Sequence, residues 1–282
     1  MQTTVYLVNA FSSDPNGGNP AGVVLNADSI TTEQRQKIAA KVGFSETAFV
    51  SGSPSHDYRI DFYTPLKKIP NCGHATVGTF SFMKARGLIL KDKINVQNDL
   101  GTTEVSFSGS FVRMGISRST YQDFDEKNEL LLRMNSSIDA CIHGLRPVIA
   151  SSGNPFILFP LASEKALKEL VLDKDYVNAL SDKLGVVGIY AFYLTADDRV
   201  VARARMFAPI HGIDEESATG MAAAPLASYL IDQNLLDKTE FIIEQGRYMN
   251  PPSLSYLHAK ISDSLVEIAG EASLRDEKII SV

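Results

Sequence analysis

Gly18-Asn19-Pro20-Ala21-Gly22-Val23-Val24-Leu25 is answered further along the chain by Gly153-Asn154-Pro155-Phe156-Ile157-Leu158-Phe159-Pro160, an offset of 135 from Gly18 to Gly153. Each stretch is a Gly-Asn-Pro turn that runs into apolar residues of strand character. Three further landmarks follow in the same order. Lys41-Val42-Gly43-Phe44-Ser45-Glu46-Thr47-Ala48-Phe49-Val50 resembles the stretch from Lys183 to Tyr193, with Gly43 and Gly185 142 apart. Arg59-Ile60-Asp61-Phe62-Tyr63-Thr64-Pro65 matches Arg203-Ala204-Arg205-Met206-Phe207-Ala208-Pro209 at an offset of 144. His74-Ala75-Thr76 opens an apolar helix to Leu88, and Ser217-Ala218-Thr219 opens another to Leu236, at an offset of 143. Four landmarks in one order at nearly constant offset read as two copies of one unit.

Within each copy the patterning predicts strand, turn, strand, helix, two strands ending at a proline, a loop, a long apolar helix and closing hairpin strands. The stretches 75–86 and 221–230 are apolar nearly all round, so each helix must be enclosed, and the strands are the material available to enclose it. The expected class is therefore α+β, with each unit a curved sheet wrapped around a central helix. Period-two segments at 94–97, 104–107 and 111–114, and again at 240–244, 253–257 and 265–268, read as the closing strands. The polar, acidic stretch Ser117 to Asn128 reads as a linker, and Leu130 to Asp139 as a short helix introducing the second unit. The expected domains are 1–118 and 119–276.

The chain has 282 residues, 44% of them hydrophobic, with 27 basic and 33 acidic side chains and a net charge of −6. That length supports one large or two medium cores. Scattered cations and a negative balance exclude the basic footprint of a nucleic-acid binder. The first residues carry no basic, then apolar, signal pattern, and the longest apolar run, 186–194, is about half of a bilayer span, so no membrane association and a cytoplasmic location are expected. The 2 cysteines, Cys72 and Cys141, form no Cys-x-x-Cys pair and read as reduced thiols.

Two Gly-rich polar loops precede the apolar helices: Asn71-Cys72-Gly73-His74-Ala75-Thr76 and Gly212-Ile213-Asp214-Glu215-Glu216-Ser217-Ala218-Thr219-Gly220. Amides at a helix N-terminus hold anions, so a small carboxylate is the expected ligand, bound where equivalent loops of the two copies face each other. Glu46 sits alone among small and apolar residues, the setting of a general base, and the second copy has Val187 or Gly188 at the matching place. His74 suits a hydrogen bond to substrate oxygen or a proton shuttle. Glu216 belongs to an acidic triplet that also suits the first turn of a helix. A P-loop, a dinucleotide fingerprint and a Gly-x-Ser-x-Gly elbow are all missing. The five histidines form no His-x-x-x-His pair, and Cys72-x-His74 alone is a poor zinc signal, so neither metal nor cofactor is expected. A two-thiol racemase is disfavoured because the second copy lacks a loop cysteine, and Cys72 reads as a small packed residue.

Taken together, Gly18-Asn19-Pro20-Ala21, Phe44 to Phe49, Cys72-Gly73-His74-Ala75-Thr76, Gly153-Asn154-Pro155-Phe156, the run from Gly212 to Gly220 and Glu244-Gln245-Gly246 resemble the PhzF family of phenazine-biosynthesis isomerases over nearly the whole chain. The resemblance implies the diaminopimelate-epimerase-like fold, two pseudo-symmetric barrels each around a central helix, with the last strand, 277–282, returning to the first domain. It implies a cofactor-independent proton shift on a small cyclic or amino-acid-like carboxylate such as trans-2,3-dihydro-3-hydroxyanthranilate. Glu46 matches the family's proton-transferring glutamate and His74 its assisting histidine. Glu216 stands where the family has Asp, and Met221 where the phenazine enzyme has Ser. Asn19, Gly73, Ala75, Thr219 and Gly220 fall at substrate-binding positions, and a homodimer is implied. The alternatives are a single-base epimerase and a catalytically silent metabolite-binding protein.

Overall fold

The computed structural model describes residues 1–134, 141–142 and 144–282. They form two compact units, Met1–Gly115 with Ala269–Val282, and Ile116–Ile268. The chain begins with β1 (Gln2–Ala10), β2 (Asn19–Val24), α1 (Thr32–Val42), β3 (Glu46–Ser51), β4 (Tyr58–Tyr63), β5 (Lys68–Ile69), α2 (Gly73–Ala85), β6 (Lys93–Asn98), β7 (Gly101–Ser108) and β8 (Phe111–Ser117). It continues through β9 (Thr120–Gln122), α3 (Lys127–Arg133), β10 (Val148–Ser151), β11 (Pro155–Leu161), α4 (Glu164–Lys168), α5 (Lys174–Leu184), β12 (Gly188–Leu194), β13 (Val200–Ala208), β14 (Ile213–Glu216), α6 (Gly220–Asp232), β15 (Glu240–Gln245), β16 (Ser255–Ile261) and β17 (Leu265–Gly270). The last strand is β18 (Ala272–Ser281).

The duplication is visible in the pairing. In the first unit β1 and β2 are antiparallel, β2 and β3 parallel, β3 and β4 antiparallel, and β4 and β6 parallel. The second unit repeats that series with β10, β11, β12, β13 and β15. Each parallel step is a crossover through a helix, α1 or α5 for the first and α2 or α6 for the second, as parallel neighbours require. The first strand of each series has a further antiparallel neighbour, β18 on β1 and β9 on β10.

Both faces of the sheet are covered at β3 and β11, which are buried along nearly their whole length, β11 as a continuous apolar run. In the first unit Leu7, Val24 and Phe49 pack outward against Ile38 and Ala39 of α1. Val8 and Ala10 lie on the other face, where Gly78 of α2 approaches them so closely that an added Cβ would stand 3.1 Å from a methyl of Val8. Every residue of α2 from His74 to Met83 is buried. In the second unit Ile157, Phe159 and Ile189 pack with Val177 and Leu180 of α5, and α6 is buried from Ala222 to Leu230.

Four details differ from the sequence reading. The linker stretch holds β9, held to β10 by backbone pairing and by Tyr121, which packs on Tyr229 and donates to Asp232 at 2.6 Å. The helix expected at 130–139 is α3 and begins earlier; residues 135–139 lie outside the described residues. The returning C-terminal strand begins at Ala272, ahead of Glu277, because its pairing runs the full length of β1. The central helices begin at Gly73 and Gly220, an offset of 147. Ser217-Ala218-Thr219 therefore leads up to its helix, whereas His74-Ala75-Thr76 lies inside its own. The approach to α6 carries the longer strand β14, which uses up the extra residues.

Candidate active site

The path to Glu46 is set by helix ends. Thr31 caps α1 in a reciprocal box with Gln34, its hydroxyl accepting from the Gln34 amide at 3.3 Å while the Gln34 side chain accepts from the Thr31 amide at 3.0 Å. At the other end Gly43 adopts φ +74°, a left-handed conformation that glycine takes without strain, and turns the chain into β3. The parallel register then puts Glu46 beside Ala21. Asn19, buried at the start of β2, lies two residues before that partner.

The loop before α2 brings up the other groups. Cys72 is the N-cap residue, extended at φ −150° and ψ 115°, and its side chain does not cap the helix. Its carbonyl accepts from the Thr76 hydroxyl at 2.7 Å and from the Thr76 amide at 3.1 Å. The amides of Gly73, His74 and Ala75 precede this first intrahelical bond, at the positive end of the helix dipole. His74 Nε2 lies 3.2 Å from Glu46 Oε2, the two side chains being 5% and 12% exposed. The other ring nitrogen, Nδ1, is 3.4 Å from Cys72 Sγ. The first unit thus joins Glu46, His74, Gly73 and Ala75 at one helix start and adds Cys72, which the sequence reading treated as packing.

The second unit has a different cluster at its helix start. Asp214 pairs with Lys174 at 2.7 Å and Glu215 with Arg205 at 2.8 Å, so two members of the acidic triplet are held in ion pairs. Glu216 accepts a short hydrogen bond from Thr219 Oγ1. Thr219 is the N-cap of α6 and Gly220 its first residue, the places held by Cys72 and Gly73 in the first unit. Gln245, with no exposed surface, organises the cluster. Its Nε2 donates to the Glu216 carbonyl at 2.7 Å and to Thr219 Oγ1 at 3.2 Å, while its Oε1 accepts from the Thr219 amide at 3.1 Å and the Tyr190 hydroxyl at 3.0 Å. Burial, reinforced by the Glu216 charge, pushes the Tyr190 hydroxyl far above its ordinary range, so it remains a donor. Gln245 was not among the expected site residues; the Glu244-Gln245-Gly246 motif was its one signal.

The register also settles the counterpart of Glu46. Gly188 pairs with Phe156 as Glu46 pairs with Ala21. A Cβ at Gly188 would stand 2.1 Å from the Phe207 carbonyl oxygen, so a side chain here would force the backbone apart. At the first position of β3 and its counterpart in β12, one unit offers a carboxylate and the other backbone. Among the described residues, one cluster of three or more potential metal-ligating side chains is present, Glu46, Cys72 and His74, and no helix is long and apolar enough to cross a membrane.

Residues 8–277 match the PhzC-PhzF family, described as phenazine biosynthesis-like protein. Among curated relatives, the uncharacterized isomerase YddE of Escherichia coli K12 is 30% identical over 95% of this chain and 93% of its own. The trans-2,3-dihydro-3-hydroxyanthranilate isomerase of Pseudomonas chlororaphis is 30% identical over 94% of each chain. The crystal structure of a PhzF-family phenazine biosynthesis protein from Bacillus anthracis superposes with a TM-score of 0.90 at 27% identity, covering 100% of both chains. The α+β, diaminopimelate-epimerase-like fold expected from the sequence is the fold observed.

Proposed function

This chain belongs to the PhzC-PhzF family and is an isomerase, and from that premise we propose that it moves a proton, without a cofactor, on a small cyclic or amino-acid-like carboxylate of the trans-2,3-dihydro-3-hydroxyanthranilate type. The observation that carries the reading is the 3.2 Å approach of His74 Nε2 to Glu46 Oε2 at a helix N-terminus. Glu46, as carboxylate, takes a proton from a substrate carbon and returns it to another, which requires that it face the substrate in a fixed orientation. His74, whose Nε2 stands beside that carboxylate, donates to the polar end of the substrate as charge develops there. The amides of Gly73 and Ala75, together with Asn19 of β2, receive the substrate carboxylate. In the second unit, Glu216, Thr219 and Gly220 form a polar cluster of their own at the start of α6.

The substrate class is tested by offering trans-2,3-dihydro-3-hydroxyanthranilate to the purified protein and following loss of its conjugated-diene absorbance. Consumption proportional to enzyme concentration is expected; an unchanged spectrum at high enzyme concentration would remove this substrate class. The homodimer implied by the family resemblance predicts twice the chain mass by light scattering, and the chain mass alone would contradict it.

A further inference from the structure

Glu46, Cys72 and His74 bring a carboxylate oxygen, a sulfur and an imidazole nitrogen within 4.8 Å of one another. We propose that these three side chains bind Zn2+, and that the ion competes with substrate by occupying the proton-transfer site. Zinc bonds of about 2.3 Å to sulfur and about 2.0–2.1 Å to nitrogen and oxygen, at tetrahedral angles, put nitrogen and oxygen donors about 3.3 Å apart and sulfur and nitrogen about 3.6 Å apart. Here His74 Nε2 and Glu46 Oε2 are 3.2 Å apart. Cys72 Sγ lies 4.0 Å from the same Nε2, a little beyond the required separation, and 3.4 Å from Nδ1. Zn2+ binding would require the sulfur to close that remaining gap by rotation about the Cys72 Cα–Cβ bond.

The donor set defines the ion. One thiolate, one imidazole and one carboxylate suit zinc, while magnesium and calcium call for oxygen donors. Three protein ligands leave a fourth position for water or an incoming carboxylate. Binding replaces the thiol proton with the metal: the Cys72 S–H bond breaks, an S–Zn bond forms, and one proton leaves to solvent, with no change in oxidation state. The carboxylate of Glu46 and a nitrogen lone pair of His74 are then held by the ion and cannot carry a proton. Metal binding stands on the geometry alone; its inhibitory consequence rests on the role proposed for Glu46.

The test is a titration of the metal-free full chain with Co2+, a spectroscopic stand-in for Zn2+, followed by displacement with one equivalent of Zn2+. The expected result is a thiolate-to-cobalt charge-transfer band in the near ultraviolet that Zn2+ abolishes. Cys72→Ser removes the band, while Cys141→Ser keeps it. Glu46→Gln keeps the thiolate but weakens Zn2+ binding by at least the roughly tenfold that loss of even an outer-shell partner costs; this variant carries the test if Cys72→Ser does not fold. A missing band in wild type, a band that survives Cys72→Ser, or unchanged Zn2+ affinity in Glu46→Gln would each overturn the proposal. If Zn2+ binds as expected yet leaves turnover of a competent substrate unaffected, the metal site stands and the role of Glu46 falls.

Discussion

Glu46 and Gly188 hold equivalent register positions, and the contrast between them turns a duplicated scaffold into an asymmetric one. Glu46 projects toward His74, while Gly188 lies against the Phe207 carbonyl with no room for a side chain. Gly188→Ala forces this backbone contact apart and is expected to cost about 1–3 kcal/mol, the range of overpacking. A denaturant midpoint equal to that of wild type would show that β12 and β13 can separate freely there. Gln245 is the other residue with a disproportionate role. Replacing it with Leu keeps the bulk but strips four hydrogen bonds from a fully buried site, leaving the Thr219 amide and the Glu216 carbonyl without that partner. An expected loss of about 1–3 kcal/mol for each unsatisfied buried group would appear in thermal melts; an unshifted melt would mean that other groups replace the amide.

At the scale of elements, α1 and the Gly43 turn determine where Glu46 stands. Thr31→Ala removes one half of the capping box and should cost about 1 kcal/mol, with Thr31→Ser restoring most of it; equal stability of all three proteins would dismiss the cap. The duplicated strands and the two enclosed helices could be read from the sequence because their signals are local: Gly-Asn-Pro turns, prolines at strand ends, and helices with no polar face. Glu46 could be read because a lone carboxylate in an apolar strand is conspicuous. The start of α6 could not, since Ser217-Ala218-Thr219 resembles His74-Ala75-Thr76 in composition while the longer β14 displaces it from the helix. Strand β9 was hidden because three polar and aromatic residues acquire strand character only by pairing with β10. Cys72 and Gln245 gain most of their meaning from what folding brings beside them, of which Cys72-x-His74 and Glu244-Gln245-Gly246 are only faint signals.

At the scale of the whole molecule, the first unit carries a buried charge that sets its response to acid. Asp61 is 4% exposed and is paired with Arg35 at 2.6 Å, Arg59 at 2.8 Å and Lys68 at 2.8 Å. Burial pushes its carboxyl up, but hydrogen bonds and charge from Arg59 and Lys68 outweigh it and hold the group at about 2, below the ordinary 3.8. With the folded value below the unfolded one, the stabilisation is complete above about pH 4 and is lost as pH falls through 2; at about 1.4 kcal/mol per unit it amounts to about 2 kcal/mol. Urea midpoints should therefore fall between pH 4 and pH 2, and Asp61→Asn should flatten that part of the profile; an equally steep fall in the variant would assign the acid sensitivity elsewhere. The proposed function rests on one carboxylate, Glu46, whose equivalent position in the second unit is Gly188. The most direct measurement is a proton NMR time course in deuterated buffer with trans-2,3-dihydro-3-hydroxyanthranilate, comparing wild type with Glu46→Gln. The account predicts that wild type consumes the diene resonances while the variant leaves them intact over the same period, a loss of at least about a hundredfold; equal rates for the two proteins would contradict it.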